Sequence, residues 1–284
     1  MRKIICMVLS CLMLLAASLD AGAQARITTK KYKLGDFTSK TTRVVLTGNP
    51  ITDELLKEEV ARRWRISPYE FCSVDEFERS RTSTLYYFLV IRQDTFRDGS
   101  LGISYLSVLK GGKKRTDNPD EKAIDVVNVP YSGSPAFPGR EAILLPALLD
   151  IIQNFILDAM TSPDAAVTGL ARYNRLNVKG LKRHILISDS DLSLTAYDAI
   201  AGGWHPEGNI EFVSEEEADE ALQDGRQDTL ISYIVAPSIP HTGSWCYKML
   251  ISTDTHELFY FQRHLMTATY DPGFVLRDLK TLAR

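Results

Sequence analysis

The feature that most restricts how this chain can fold is that its element order is written twice. The phrase YEFCSVDEFE (69–78) returns as IEFVSEEEAD (210–219): an apolar residue, Glu, Phe, an apolar residue, Ser, then acids, 141 residues later. Around the first phrase, RVVLTG (43–48) reads as a strand and NPITDELLKEEVARRW (49–64) as a helix. Asn49 or Thr52 can cap that helix, with Ile51, Leu55, Leu56, Val60 and Trp64 on one face. Strands follow at 69–72, 85–93, 101–110 and 122–129, then an apolar helix ending near Met160. Around the second phrase, HILIS (184–188) reads as a strand and DLSLTAYDAIAGGW (191–204) as a helix weakened by Gly202 and Gly203. Strands follow at 210–213, 229–238, 243–253 and 256–266, and a closing helix lies within 271–284, with Asp271 as cap and Pro272 in its first turn. Both halves read strand, helix, strand, strand, strand, strand, helix. The offset is expected to hold at 141 without a gap from the first strand through the phrase and to reach about 145 at the third strand. This predicts an α/β (α+β) chain of two related domains, each a mixed sheet of about five strands with helices packed on it. The first unit covers 24–160, a connection 161–180, and the second unit 181–284.

The repeated phrase is an instruction to end a strand and start a helix. SVDE (73–76) and SEEE (214–217) both have the capping-box pattern, in which Ser accepts from the third helical amide and Glu reaches back to the Ser amide. Asp75, Glu215 and Glu216 then sit at the positive end of a helix dipole, which accounts for the acids without chemistry.

The amino terminus reads as a processing segment. Arg2 and Lys3 precede an apolar run from Ile4 to Leu19, and AGAQ (21–24) offers small residues for cleavage after Ala23. A lipoprotein reading with Cys11 as the lipidated residue is the alternative. The formal net charge is −3, and −4 once residues 1–23, with Arg2, Lys3 and Asp20, are removed. A mildly acidic, mixed surface is not that of a nucleic-acid-binding protein. After cleavage, no stretch reads as a membrane span. The closest, AILLPALLDIIQNFILDAM (142–160), is interrupted by Asp150, Gln153, Asn154 and Asp158 and reads as a buried helix. Cys72 and Cys246 would be the two remaining cysteines, either small buried apolar side chains or one bridge in an oxidising compartment.

The segment VVLTGNPITDELLKEEVARRWRISPYEFCSVDEF resembles the start of periplasmic α/β accessory domains of the TolB amino-terminal, CsgG and LpoB type. Asp53, Leu56 and Val60 match the amphipathic helix, and Glu70, Phe71, Ser73 and Glu76 the strand and capped helix after it. The resemblance covers roughly 35 residues per copy. It implies a protein that assists envelope assembly, secretion or cell-wall synthesis by binding other proteins, and it carries no catalytic residues with it. The glycine-weakened second helix and the lack of a TolB-like propeller depart from that group.

Residues that could do chemistry have structural explanations beside the functional ones. Asp189-Ser190-Asp191 after a strand resembles the nucleophile region of Mg²⁺-dependent phosphoryl-transfer enzymes. No later acid pair accompanies it, and capping by Asp189, Asp191 or Ser193 explains the same residues. His184, His205, His241, His256 and His264 show no metal-ligand spacing; His256 and His264, eight apart, can share a strand face. His241 and Ser244 share a turn, with no nucleophile-elbow motif around the serine. KGGKKR (110–115) reads as a solvated hairpin tip. No metal, cofactor or catalytic set is therefore assigned. The remaining candidate is PYSGSPAFPGRE (130–141), which is longer than its counterpart in the second copy and is expected to expose Tyr131, Phe137 and Arg140 for binding.

These observations lead to three expectations. The first is an exported, non-enzymatic envelope accessory protein, periplasmic or extracellular, that binds a protein partner. The second is an envelope hydrolase whose acids and histidines converge at the cleft between the units. The third is a scaffold that pairs with itself as a homodimer through matching sheet edges.

Overall fold

The computed structural model describes residues 34–96, 98–112, 123–133, 139–176, 183–239, 243–267 and 270–283. The proposed leader lies outside these residues, as do Lys113 to Arg115 of the basic run and Phe137 and His241.

The chain forms two similar α/β units, each a mixed five-stranded sheet with helices packed on it. The first contains β1 (Thr41–Val45), α1 (Pro50–Arg63), β2 (Tyr69–Cys72), α2 (Val74–Ser80), β3 (Tyr86–Thr95), β4 (Leu101–Gly111), β5 (Ala123–Ser132) and α3 (Arg140–Thr161). Two short helices, α4 (Pro163–Thr168) and α5 (Tyr173–Leu176), occupy the connection. The second unit contains β6 (His184–Ser188), α6 (Leu194–Ala201), β7 (Ile210–Val213), α7 (Glu215–Gln223), β8 (Thr229–Val235), β9 (Trp245–Ser252), β10 (Leu258–Leu265) and α8 (Leu276–Leu282). The strand orders are β2-β1-β3-β4-β5 and β10-β9-β8-β6-β7, the same order read from opposite ends. In each sheet the first three strands of the unit are parallel and the last two are antiparallel additions.

Strand register corrects the expected spacing. Val44 pairs with Phe71 and Ile187 with Phe212, so the phrase repeats at 141 but the strand beside it at 143. The third strand also repeats at 143, since Thr41 pairs with Tyr86 and His184 with Thr229. The second copy has therefore lost two residues between its first two strands. The loss falls in the connection through the first helix, so the pairing of the two strands is unaffected.

Local chemistry sets the helix starts. The Asn49 side chain accepts from the amides of Ile51 and Thr52 and caps α1, with Pro50 in the first turn. Ser73 and Glu76 form the complete capping box at α2. At α7, Ser214 accepts from the Glu217 amide at 3.2 Å. α6 is capped by Ser193 and ends at Ala201, so Gly202 and Gly203, expected to weaken it, terminate it instead. The closing helix departs from expectation. It begins at Leu276, five residues past Asp271, and its first amide, that of Val275, donates to Asp278.

Each first helix returns its chain to one side of the opening strand and each second helix to the other. Right-handed crossovers then place the two on opposite faces of the sheet. In the first unit Leu56 and Val60 of α1 lie in a core shared by both units, and Phe77 of α2 packs on a separate cluster with Val45, Cys72 and Phe88. In the second unit the roles are exchanged. Ala218, Ala221 and Leu222 of α7 lie in the shared core, and Ala196 of α6 in an outer cluster with Ile187, Phe274 and Leu279. The strands agree: Phe88 is turned outward, whereas its counterpart Ile231 is turned into the shared core. The units thus meet through unlike faces.

Between those faces runs α3. Leu144, Leu145, Leu148, Leu149, Ile151, Ile152, Phe155 and Ile156 are among its buried residues, each contributing about 1.5–3 kcal/mol of burial. Among the described residues it is the one helix long and apolar enough to cross a membrane, and it is instead mostly enclosed by the two sheets. Cys72 and Cys246 are both free and buried, one in each unit, which rules out the bridge. Burial pushes each thiol up to about 11.

Candidate binding cleft between the two units

Two groups of polar residues join the units, one buried and one open. The buried group is centred on Arg140, the first residue of α3. Its Nη1 lies 2.9 Å from Asp191 Oδ2, its Nε 2.7 Å from Asp219 Oδ1, and its Nη2 donates to the Ser232 carbonyl at 3.0 Å. Asp191 also accepts from the Ser232 hydroxyl at 2.5 Å and the Ile234 amide at 3.3 Å. The three side chains are 8, 3 and 10% exposed, which decides that this is an internal tie. Burial alone would lower the guanidinium pKa, but the charges of Asp191 and Asp219 outweigh it and raise it. Burial raises the Asp219 carboxyl, and Arg140 offsets that only in part.

This corrects the expectation that Tyr131 and Arg140 are exposed for binding. Tyr131 belongs to β5 and is 4% exposed, its carbonyl accepting from the Tyr233 hydroxyl at 2.5 Å. Arg140 is held in the tie just described, and Phe137 lies outside the described residues. The loop leaves β5 clamped against the second sheet. The Gly133 carbonyl accepts from the Ser238 amide at 2.9 Å, and a Cβ on Gly133 would stand 1.8 Å from the Ala236 oxygen. Asp191 does not cap α6, since its carboxylate is the counter-ion of Arg140. Asp189 is exposed, so the Asp-Ser-Asp segment does not form a two-acid site.

The open group lies in a cleft of about 550 Å³ at the junction, walled by the end of α1, the first half of α3, the end of α7 and the β9–β10 turn. His256 reaches into it from the turn. Its φ is 55°, in the left-handed region where glycine or asparagine is the ordinary choice. From there Nδ1 lies 2.7 Å from Asp150 Oδ2 on α3, and Arg63 Nη1 from α1 approaches the same oxygen at 2.9 Å. Arg63 Nη1 also lies 3.3 Å from His256 Nδ1. Glu59, buried on α1, accepts from Arg62 Nη1 and from Arg63 Nε, each at 3.2 Å. Gln153 fastens the end of α1, accepting from the Arg65 amide at 2.8 Å and donating to the Arg63 carbonyl at 3.2 Å. On the far wall, Asp254 is held below the usual carboxylate range, first by the Ser252 hydroxyl and also by Arg183.

The cleft can position a ligand and can move a proton. With the Nδ1 proton directed at Asp150, the neutral imidazole presents Nε2 as an acceptor, and that atom bonds to none of the described residues. An acid that orients a histidine is half of a nucleophile-activating arrangement. In an open cleft, water is a nucleophile such an arrangement could serve. Among the described residues no three His, Cys, Asp or Glu side chains gather as metal ligands. His264, expected to share a face with His256, is engaged elsewhere: its Nε2 lies 2.9 Å from the Asp271 carbonyl.

Arg63, Asp150 and His256 were not candidates from sequence as a set. The one local sign is a histidine in STDTHE (252–257), at a turn position where glycine would be expected. Comparison with protein-family models, with curated proteins and with solved structures gives no significant match for this chain.

Proposed function

We propose that this is an exported cell-envelope accessory protein that acts by binding another protein, and that the inter-unit cleft is part of the contact surface. The observation that carries the reading is the cleft itself, to which both copies of the duplicated unit contribute and in which His256 is held in a costly backbone conformation. Strain kept in place by its surroundings is a mark of functional positions, and clefts between units are common ligand sites. Export is supported by the basic, apolar and small-residue sequence of residues 1–24. The resemblance to envelope accessory domains points the same way.

The test is crosslinking in intact cells followed by purification, with the wild-type chain and the His256→Gly variant side by side. A partner captured by the wild type and lost or sharply reduced in the variant is the expected result. Recovery of nothing but the protein itself, or equal capture by both, counts against the proposal.

The pairing of His256 with Asp150 specifically favours a second reading, hydrolysis of an envelope substrate by water activated at Nε2. Under that reading purified protein releases soluble fragments from isolated envelopes. His256→Gly would then abolish release, and capture would be unaffected.

A further inference from the structure

We infer that the cleft takes a positively charged side chain, a lysine or arginine of the bound segment. The inference rests on the binding reading above and adds to it the chemistry of what is bound. Four carboxylates line the cleft, those of Glu59, Asp150, Asp224 and Asp254, against the two guanidiniums of Arg62 and Arg63. Both guanidiniums are engaged. Arg62 pairs with Glu58 and Glu59, and Arg63 with Glu59 and Asp150. An incoming anion would meet net negative charge and cations already neutralised.

A cation finds one unmatched carboxylate, since Glu59 and Asp150 are paired as above and Asp254 pairs with Arg183. Asp224 is exposed and its side chain pairs with none of the described residues. It also occupies the C-cap of α7, a nine-residue helix with no basic residue in its last turn. A carboxylate there adds to the negative end of the helix dipole, where a basic residue would be the stabilising choice. The cleft therefore holds a negative field that its own chain leaves uncompensated. In the neutral tautomer of His256 that carries its proton on Nδ1, Nε2 offers a lone pair to an N–H donor. Ile143, Pro146 and Leu222 supply an apolar wall for the methylene stem of a long basic side chain.

The experiment is a titration of the mature chain, followed by NMR or calorimetry, with acetylated and amidated tripeptides that differ only in a central Lys, Arg, Gln or Glu. The Lys and Arg peptides are expected to bind, more weakly as salt is raised. Asp224→Asn should reduce their affinity by about threefold or more. This surface substitution leaves the fold and the His256 pair intact. Equal binding of the Gln peptide, or an unchanged affinity in Asp224→Asn, overturns the inference. If charge preference is lacking but His256→Gly still abolishes partner capture in cells, the inference falls and the binding function stands. If charge preference holds and capture is unaffected by His256→Gly, the inference stands and the function proposed above falls.

Discussion

Arg140 is the side chain on which the join between the units most depends. It serves two buried carboxylates and a backbone carbonyl of the second unit from the first residue of the helix that fills the shared core. Removing it leaves Asp191 and Asp219 close together without a counter-ion, and breaking a buried pair in this way costs about 3–5 kcal/mol. Arg140→Ala should therefore lower the urea midpoint strongly, with both units unfolding together; a small change would mean that the carboxylates find water or another partner. His256 gives a sharper comparison. Gly at this position relieves the left-handed strain and loses the Asp150 bond. Ala loses the bond and keeps the strain, about 1–2 kcal/mol. Thermal unfolding should therefore rank His256→Gly above His256→Ala. The reverse order would show that the turn changes conformation when the imidazole is removed. Neither residue's role was legible in the sequence. Asp150 lies 87 residues from Arg63, and His256 lies 193 from it, so no motif spacing connects them. Arg140 read as a loop charge because its partners come from the other unit, on α7, β8 and the turn after β6.

At the scale of elements, most of the fold was legible because local and tertiary preferences agree. β2, β6 and β7 fall where the apolar alternation and the capping serines place them, and the other strands differ from expectation by a few residues at their ends. The caps are themselves testable. Ser73→Ala and Ser214→Ala should each cost about 1 kcal/mol, read from denaturant midpoints. The Ser73 change should be the larger, since the Ser73 hydroxyl also donates to Glu76 Oε2 at 3.0 Å and that second bond is lost with it. Equal effects would assign the stabilisation to the serine bond alone. The carboxy-terminal helix shows where local signals fail. Asp271 and Pro272 look like a helix start, yet the chain passes beside β6 and α6 first. The Phe274 amide donates to the Asp191 carbonyl at 2.7 Å, and the Ser193 amide to the Phe274 carbonyl at 3.1 Å. Gly273, at φ 112°, has no room for a side chain, since a Cβ would lie 2.5 Å from Leu192 and Ser193 backbone atoms. Tertiary bonds claim these residues, and the helix can begin only after them. The repeated phrase, for its part, forms the edge strands β2 and β7, both short and each carrying an exposed glutamate, Glu70 and Glu211. This is how natural sheets discourage unwanted pairing.

For the molecule as a whole, the consequential feature is that two like units meet by unlike faces. Such a contact does not close on itself, and a third unit could in principle be stacked on the second as the second is on the first. Polar residues on the outer face of the first sheet, of which Ser107 and Asn128 are buried, are expected to oppose this. On the outer face of the first sheet Arg92 bonds Asn128 at 2.6 Å, lies 2.8 Å from Asp125, and approaches Ser107 at 3.3 Å. Register places Val235, Phe261, Leu258 and Met249 of the second sheet in the positions of Arg92, Asn128, Asp125 and Ser107. Those four belong to or pack against the shared core. Replacing the polar four with their apolar counterparts should produce particles whose mass grows with concentration in light scattering, beyond anything the unaltered chain forms. A mass that stays fixed would mean that the short α8, sealed to its sheet by the buried Lys248–Asp278 pair, is a sufficient stop at the other end. A chain of two like units joined by unlike faces carries the beginnings of a filament, and four polar side chains on one sheet are its expected stop.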